Sequence, residues 1–151
     1  MSEFVKQLMS YKPREGSDES YVIDLCNQVL GREASRQKTF DFLRGDSKDG
    51  KKGRLLPVDA YYEDLGLVVE YNEYQHSRAV PFFDKRETIS GVSRGEQRRI
   101  YDERRRKVLP EHGIKLVTID YTDFGHNKKI SRNHPCDMEV VRKKLREFVE
   151  K

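Results

Sequence analysis

Apolar residues recur along this chain with two different periods, which divide it into helical and extended segments. The most regular helical spacing starts after Ser17 and Asp18, either of which can cap a helix, and stops at Gly31. Its apolar positions are Val22, Leu25, Cys26, Val29 and Leu30. We therefore predict a helix across these residues.

Weaker helical patterns flank this helix on both sides. Phe4 and Leu8 are spaced as on one face of a helix, which predicts a short helix at the start of the chain. The stretch REASRQKTFDFLRG, residues 32–45, predicts another short helix with Phe40 and Leu43 facing inward. The first third of the chain is thus expected to be helical.

The next segments have the composition of β-strands. The run LLPVDAYY, residues 55–62, and the run LVVEY, residues 67–71, are joined by the turn sequence EDLG. Two short strands joined by a tight turn that contains glycine predict an antiparallel hairpin. The sequence that follows, residues 77–95, shows neither period and is expected to form a long loop.

Helical and extended patterns alternate again in the last third. Residues 95–113 and 134–151 are helical in pattern, and IKLVTIDY, residues 114–121, is a strand candidate rich in β-branched residues. A strand that follows a helical crossover can lie parallel to the previous strand. We therefore predict an α/β fold in which helices flank a small mixed β-sheet.

A length of 151 residues is enough for one hydrophobic core, so we expect one domain over residues 1–151. Within it we distinguish N-terminal helices over 1–45, a core over 55–124 and a C-terminal helix over 135–151. The sequence also indicates in which cellular compartment we expect the protein. Apolar runs are shorter than the roughly 20 residues that cross a bilayer, the start shows no signal-peptide pattern, and the two cysteines are far apart. We expect a soluble, cytoplasmic protein in a reducing compartment with no membrane contact.

Charge is unevenly distributed although the net charge is only +4. Residues 85–107 and 128–151 are each rich in Lys and Arg, so the remainder of the chain is acidic. This pattern is typical of a protein that binds a polyanion through its basic segments and has carboxylates with a separate role elsewhere. Solvated helix faces would explain the charge alone equally well.

The stretch LVVEYNEYQH, residues 67–76, changes from apolar to polar halfway along. If the turn lies at residues 63–66, Asp59 on the first strand lies opposite or diagonal to Glu70 on the second. Two carboxylates would then lie within reach of one cation, and Mg²⁺ is commonly held by one or two carboxylates together with substrate phosphate and water.

Three motifs in this region resemble those of the PD-(D/E)xK nuclease superfamily. Small single-domain proteins of the Vsr-like and DUF559-like kind read roughly V-D-F, then I-E-x-D-G-x-Q-H, then Y-D-x-x-R-x-x-x-L-x-x-x-G. The chain has VDA at 58–60, VEYNEYQH at 69–76 and YDERRRKVL at 101–109, followed by Gly113. The resemblance covers about residues 56–124 and implies a restriction-endonuclease-like core.

The resemblance implies metal-dependent cleavage of DNA phosphodiester bonds with Mg²⁺ or Mn²⁺. Asp59 and Glu70 would be metal ligands, assisted by the backbone carbonyl of Tyr71. Gln75 and His76 would complete the rim of the active site. A glutamate of an early helix often joins such sites, and the candidates here are Glu33, which is best placed, Glu19 and Glu15.

The chain departs from the family at the position of its lysine, which is Asn72 here, and the next residue is Glu73 where close relatives have glycine. An amide cannot take a proton from water. His76 could serve as the base, a side chain such as Arg105 or Lys107 could enter from the following helix, or a second metal ion could replace it. The remaining alternative is that catalysis is lost.

The basic residues after the hairpin are candidates for contact with the DNA backbone, because arginine binds phosphate through a planar fork. They are Arg86, Arg94, Arg98, Arg99, Arg105 and Lys107. Two alternatives to the nuclease stay open: a catalytically impaired DNA-binding module of the same fold, and an accessory protein whose arginines meet an acidic partner. Cleavage of both strands would favour a homodimer, although the sequence shows no distinct dimerisation motif.

Overall fold

The computed structural model of the chain describes residues 16–47, 52–74 and 91–149. The helices and strands of these ranges are α1 (Asp18–Leu30), β1 (Ser35–Lys38), β2 (Val58–Tyr62), β3 (Leu67–Asn72), α2 (Arg94–Glu111), β4 (Lys115–Asp120) and α3 (His134–Lys144). Short 3-10 turns follow β2, β4 and α3, at Glu63–Leu65, Tyr121–Phe124 and Arg146–Phe148.

The four strands form one mixed sheet in the order β1-β2-β3-β4. Pairing is antiparallel between β1 and β2 and between β2 and β3, and it is parallel between β3 and β4. Helix α2 makes the crossover that returns the chain to the start of β4, so the last two strands run in the same direction. The predicted α/β fold with a small mixed sheet flanked by helices is confirmed.

The hairpin is built around the predicted turn. Glu63–Leu65 form one 3-10 turn, and Gly66 adopts a left-handed backbone conformation with φ of 58°, which glycine takes at little cost. The turn fixes the register, with Ala60 paired to Val69 and Tyr62 to Leu67.

Hydrophobic side chains cover both faces of the sheet. Helices α1 and α3 pack on one face in a cluster that contains Tyr21, Leu25, Leu67, Val69 and Val141. Helix α2 packs on the other face in a cluster that contains Leu43, Val58, Val68 and Leu109. Strand β3 is therefore buried from both sides in its first half, since Leu67, Val68 and Val69 have no exposed surface.

The helix predicted for residues 32–45 is wrong. Ser35–Lys38 form the edge strand β1, and the chain then turns at Asp41 and Phe42. Phe40 and Leu43 do pack against the α2 side of the sheet, as expected. Backbone pairing with β2 stabilises an extended conformation here, and tertiary pairing of this kind overrides a weak local preference for helix.

The other helix boundaries agree with the sequence pattern near their starts. The Ser17 hydroxyl caps α1 by accepting a hydrogen bond from Ser20 N, and Gly31 ends the helix with φ of 68°. Helix α3 ends at Lys144, earlier than predicted, and continues as a 3-10 turn. The helix predicted around Phe4 and most of the loop predicted for 77–95 lie outside the described residues.

Helices long and apolar enough to span a bilayer are absent from the described ranges.

Candidate active site

Asp59 and Glu70 lie next to each other at one end of the β2–β3 hairpin. The pairing of Ala60 with Val69 places them opposite each other one step further along the ladder. The Glu70 Oε2 atom accepts a hydrogen bond of 3.0 Å from Asp59 N. The Asp59 Oδ2 atom accepts one of 2.8 Å from Tyr71 N. Backbone donors of a rigid sheet thus hold both carboxylates in place.

The two carboxylates influence each other's ionisation. Burial, and then the nearby charge of Glu70, raise the pKa of Asp59 to about 7, against the bond from Tyr71 N and contact with the Glu19 side chain. Burial also raises the pKa of Glu70, although hydrogen bonding to Asp59 and the charge of Arg105 oppose that rise. Two close carboxylates in a half-buried site favour either a shared proton or a bound cation.

Arg105 of α2 reaches across to this pair. Its Nε atom lies 3.2 Å from Glu70 Oε1, and both side chains are largely buried, at 16% and 14% exposed. The same guanidinium donates to Pro57 O from Nε and Nη2, at 3.2 and 3.1 Å, and to Asp102 Oδ1 at 3.1 Å. Arg105 is therefore the counter-ion of Glu70. It also links α2 to Pro57, the residue that precedes β2.

A cavity of about 490 Å³ opens in front of the carboxylates. Its walls come from α1, β1, β2, β3, α2 and β4, and its lining residues are Glu19, Gln37, Pro57, Asp59, Glu70, Tyr71, Asn72, Asp102, Arg105, Arg106, Leu116 and Thr118. A volume of this size falls in the range of small-molecule and substrate sites.

The glutamate that α1 brings to this cavity is Glu19, from its first turn. Its carboxylate accepts a hydrogen bond of 3.1 Å from the side chain of Gln37, which also lines the cavity. Glu33, expected to be best placed, follows α1 and is exposed, and it does not line the cavity. Glu15 lies outside the described residues. The first turn of α1, and not its last, therefore lies at the end of the sheet that carries Asp59 and Glu70.

The other residues named from the sequence fall into three groups. Asn72 follows Glu70 by two positions, shares its face of β3 and lines the cavity, while Gln75, His76 and Arg86 lie outside the described residues. Arg94 and Arg98 precede Arg105 at the spacing of a single helical stripe. Of the other basic residues named from the sequence, Arg99, which pairs with Glu96, and Lys107 are exposed on α2.

In the part of the chain that the structure describes, no group of three or more His, Cys, Asp and Glu side chains is arranged to hold a metal ion. Asp59 on β2 and Glu70 on β3 supply two carboxylates. A third oxygen is the backbone carbonyl of Tyr71, which follows Glu70 on β3. Mg²⁺ and Mn²⁺ accept such hard oxygen ligands and usually keep water or substrate oxygens in their remaining positions. The donor set fits a partly hydrated divalent ion of this class.

The sequence analysis missed Asp102 as part of the site, and it named Arg105 both as a possible replacement for the family's lysine and as a DNA contact. The signal was present in the Y-D-x-x-R spacing. It puts Asp102 and Arg105 about one helical turn apart, where both face the hairpin.

Comparisons with known proteins identify one viral relative of part of this chain. It is 35% identical over 83 residues to "Uncharacterized protein 307L" of Invertebrate iridescent virus 6, and the match covers 54% of this chain and 40% of the viral protein. The chain thus spans well under half the length of this relative. No family model matches the chain, and no solved structure matches it.

Proposed function

We propose that this chain is a metal-dependent endonuclease that hydrolyses phosphodiester bonds of DNA with Mg²⁺ or Mn²⁺. The observation that carries the proposal is the pairing of Asp59 with Glu70 across the hairpin, in a cavity at the polar end of the sheet. The resemblance of three ordered motifs to PD-(D/E)xK nucleases supports the same assignment.

The residues of the chain have distinct roles in this proposal. Asp59, Glu70 and the Tyr71 carbonyl would hold the divalent ion, which when bound would acidify water and stabilise charge on phosphate. Glu19 adds a carboxylate at the rim of the same cavity. Arg105 orients Glu70 and, together with Arg106, brings positive charge to the place where a phosphate would enter.

The proton of the attacking water needs an acceptor, and neither Asn72 nor Arg105 is suitable. An amide is not basic, and a guanidinium keeps its proton in proteins. Arg105 therefore replaces the charge of the family's lysine but not its capacity as a base. His76, which follows β3 by four residues, is the proposed acceptor. The alternative is a second divalent ion, which would acidify the water so that its proton passes to solvent.

The stripe formed by Arg94, Arg98 and Arg105 gives the DNA backbone a path along α2 toward the cavity. Arginines on one face of a helix can contact phosphates of a strand and thereby fix its position. Such contacts make binding depend steeply on salt concentration.

Cleavage of supercoiled plasmid and of a labelled single strand tests the proposal, with Mg²⁺, Mn²⁺ or EDTA. Asp59→Asn and Glu70→Gln remove one carboxylate each, and we expect either change to lower cleavage at least 100-fold. Asp64→Asn is the matched control, because Asp64 is an exposed carboxylate that pairs with Arg32 away from the cavity. Cleavage that survives in both site variants, or that ignores EDTA, contradicts the proposal.

A catalytically impaired DNA-binding module is the second candidate. It is favoured by Asn72 in place of the family's lysine and by the pairing of Arg105 with Glu70, which already neutralises one of the two carboxylates. DNA binding that is sensitive to salt, without cleavage under any metal condition, would identify this alternative.

A further inference from the structure

The ion pair between Arg105 and Glu70 places a fixed positive charge beside a proposed ligand of the divalent ion. Arg105 Nε lies 3.2 Å from Glu70 Oε1, and the two side chains are 16% and 14% exposed. Charges this close attract each other more strongly in a largely buried site than in water. Glu70 therefore has a counter-ion within the protein itself.

This counter-ion competes with a divalent ion for Glu70. A divalent ion that approaches the carboxylate is attracted less because Arg105 already neutralises Glu70, and it is repelled by the guanidinium. The position of Glu70 does not depend on Arg105 alone, since Glu70 Oε2 also accepts a hydrogen bond of 3.0 Å from Asp59 N. Loss of the Arg105 charge would thus strengthen Glu70 as a ligand and leave it held on the sheet.

The guanidinium of Arg105 has hydrogen-bonding capacity to spare. Nε and Nη2 donate to Pro57 O, and Nη1 donates to Asp102 Oδ1. These bonds use three of the five N–H groups of a guanidinium, so two have no acceptor among the described residues. Arg105 lines the cavity in front of Asp59 and Glu70, and arginine binds phosphate oxygens through such N–H groups.

The remaining charges of this cavity oppose a phosphate. Its acidic lining residues outnumber its basic ones, with Glu19, Asp59, Glu70 and Asp102 against Arg105 and Arg106. Arg106 also pairs with the exposed Glu103 at 3.3 Å. A DNA phosphate therefore meets an excess of negative charge, which a divalent ion would offset. Each of the two ligands is opposed by a charge that the other one neutralises.

We propose that Arg105 couples the binding of the divalent ion to the binding of DNA. The inference rests on the nuclease function proposed above. In the free protein Arg105 neutralises Glu70 and weakens ion binding. A DNA phosphate accepts hydrogen bonds from the two remaining N–H groups and offsets the guanidinium charge, so Glu70 becomes a stronger ligand. The coupling is reciprocal, so the ion also tightens DNA binding. Asp102 and Pro57 O hold the guanidinium in place in both states.

Two titrations with Ca²⁺, which accepts the same kind of oxygen ligands, test this proposal at pH 8. Calorimetry gives the Ca²⁺ affinity of the protein without DNA. Fluorescence anisotropy gives the affinity for a short labelled oligonucleotide, single-stranded or duplex, in EDTA and in saturating Ca²⁺. For the wild type we expect the oligonucleotide to bind about tenfold more tightly in Ca²⁺ than in EDTA.

Arg105→Gln removes the competing charge. We expect this variant, without DNA, to bind Ca²⁺ about fivefold more tightly than the wild type, and the ratio of oligonucleotide affinities in Ca²⁺ and EDTA to fall several-fold. An arginine that only positions Glu70 predicts the opposite change in Ca²⁺ affinity. Arg142→Gln is the matched control, because Arg142 is an exposed arginine of α3 that pairs with Glu139 and does not line the cavity.

Arg105→Lys keeps the proposal testable if Arg105→Gln does not fold. Lysine keeps the positive charge but lacks the planar fork of arginine. We therefore expect the Ca²⁺ affinity without DNA to stay close to that of the wild type, while the ratio of oligonucleotide affinities falls. An unchanged ratio in this variant overturns the proposal.

Unchanged or weaker Ca²⁺ binding by folded Arg105→Gln also overturns the proposal, as does a wild-type oligonucleotide affinity that is equal in EDTA and Ca²⁺. DNA cleavage in Mg²⁺ is scored separately. If coupling depends on Arg105 but the wild type cleaves no DNA, the nuclease function fails and the coupling is retained. If the wild type cleaves DNA and coupling is unchanged in the Arg105 variants, the coupling alone fails.

Discussion

At the scale of single residues, Asp59 makes the stability of the fold depend on pH. Its pKa is raised to about 7 in the folded protein, whereas an unfolded aspartate titrates near 3.9. Between these values the unfolded state binds fewer protons than the folded state, so stability falls as the pH rises. The stabilising contribution is complete below about pH 4 and is lost as the pH passes through 7.

Asp59→Asn should remove this pH dependence. We expect the wild type to lose free energy of unfolding between pH 5 and pH 8 relative to the variant, by on the order of 2 kcal/mol. The asparagine keeps an oxygen that can accept the bond from Tyr71 N. Urea denaturation in EDTA at both pH values measures the difference. Parallel pH dependence in the two proteins would show that Asp59 ionises normally.

A divalent cation should offset the loss of folding stability that ionisation of Asp59 causes at high pH. Since a ligand that binds only the folded state stabilises it, excess Mg²⁺ or Mn²⁺ at pH 8 should raise the Tm of the wild type. Asp59→Asn and Glu70→Gln should not respond, whereas the control Asp64→Asn should respond as the wild type does. Equal Tm shifts in all four proteins would place the bound cation elsewhere.

The loss of Arg105 should remove a partner from three groups, Pro57 O, Glu70 and Asp102. Arg105→Gln removes the donors to Pro57 O and the counter-ion of Glu70. We expect a loss of about 2–3 kcal/mol in the free energy of unfolding, because a largely buried charge is left without its partner. Denaturation of Arg99→Gln is the comparison, since Arg99 is 66% exposed in its pair with Glu96 and such pairs contribute little. Equal losses would mean that the bonds of Arg105 are not structural.

At the scale of elements, Asn27 fixes α1 relative to the sheet. It is 4% exposed, and its Oδ1 atom accepts from Ala34 N at 3.1 Å and from the Tyr62 hydroxyl at 2.7 Å. The amide thus connects α1 to the approach to β1 and to β2.

Asn27→Ala should cost about 2–3 kcal/mol in the free energy of unfolding, because it leaves the buried Tyr62 hydroxyl and the partly buried Ala34 N without an acceptor. Asn127→Ala is the control, since the exposed amide of Asn127 bonds Ser131 on the surface. Chemical denaturation of both variants measures the difference. A loss below about 0.5 kcal/mol for Asn27→Ala would show that water replaces the lost acceptor.

Two of the elements that the sequence predicts have a pattern that reflects burial. Helix α1 has a buried stripe with a cap at each end, and β3 has three fully buried residues in a row. Strand β1 has neither, since Ser35–Lys38 are all exposed and pair through the backbone. Gln37 within it has φ of 54°, which no local pattern indicates. Its neighbours Arg36 and Lys38 pair with β2, which is distant in sequence.

At the scale of the whole molecule, the candidate site is formed where several elements converge. The pairing of Asp59 with Glu70 is predictable, because strand register follows from the length of the turn. The choice of Glu19 over Glu33 is not, because it depends on which end of α1 lies at the polar end of the sheet. A neighbouring cavity of about 390 Å³ is likewise a product of tertiary packing, because its lining residues, which include Asp18, Tyr71 and Arg132, are distant in sequence.

The measurement that tests the central claim most directly is the single-turnover rate of DNA cleavage as a function of Mg²⁺ concentration. For the wild type and for Asp64→Asn we expect a rate that rises with Mg²⁺ and saturates. For Asp59→Asn and Glu70→Gln we expect a rate at least 100-fold lower at every concentration, from proteins that remain folded. A wild-type rate of zero at all Mg²⁺ and Mn²⁺ concentrations, on both single-stranded and duplex DNA, would contradict the nuclease assignment.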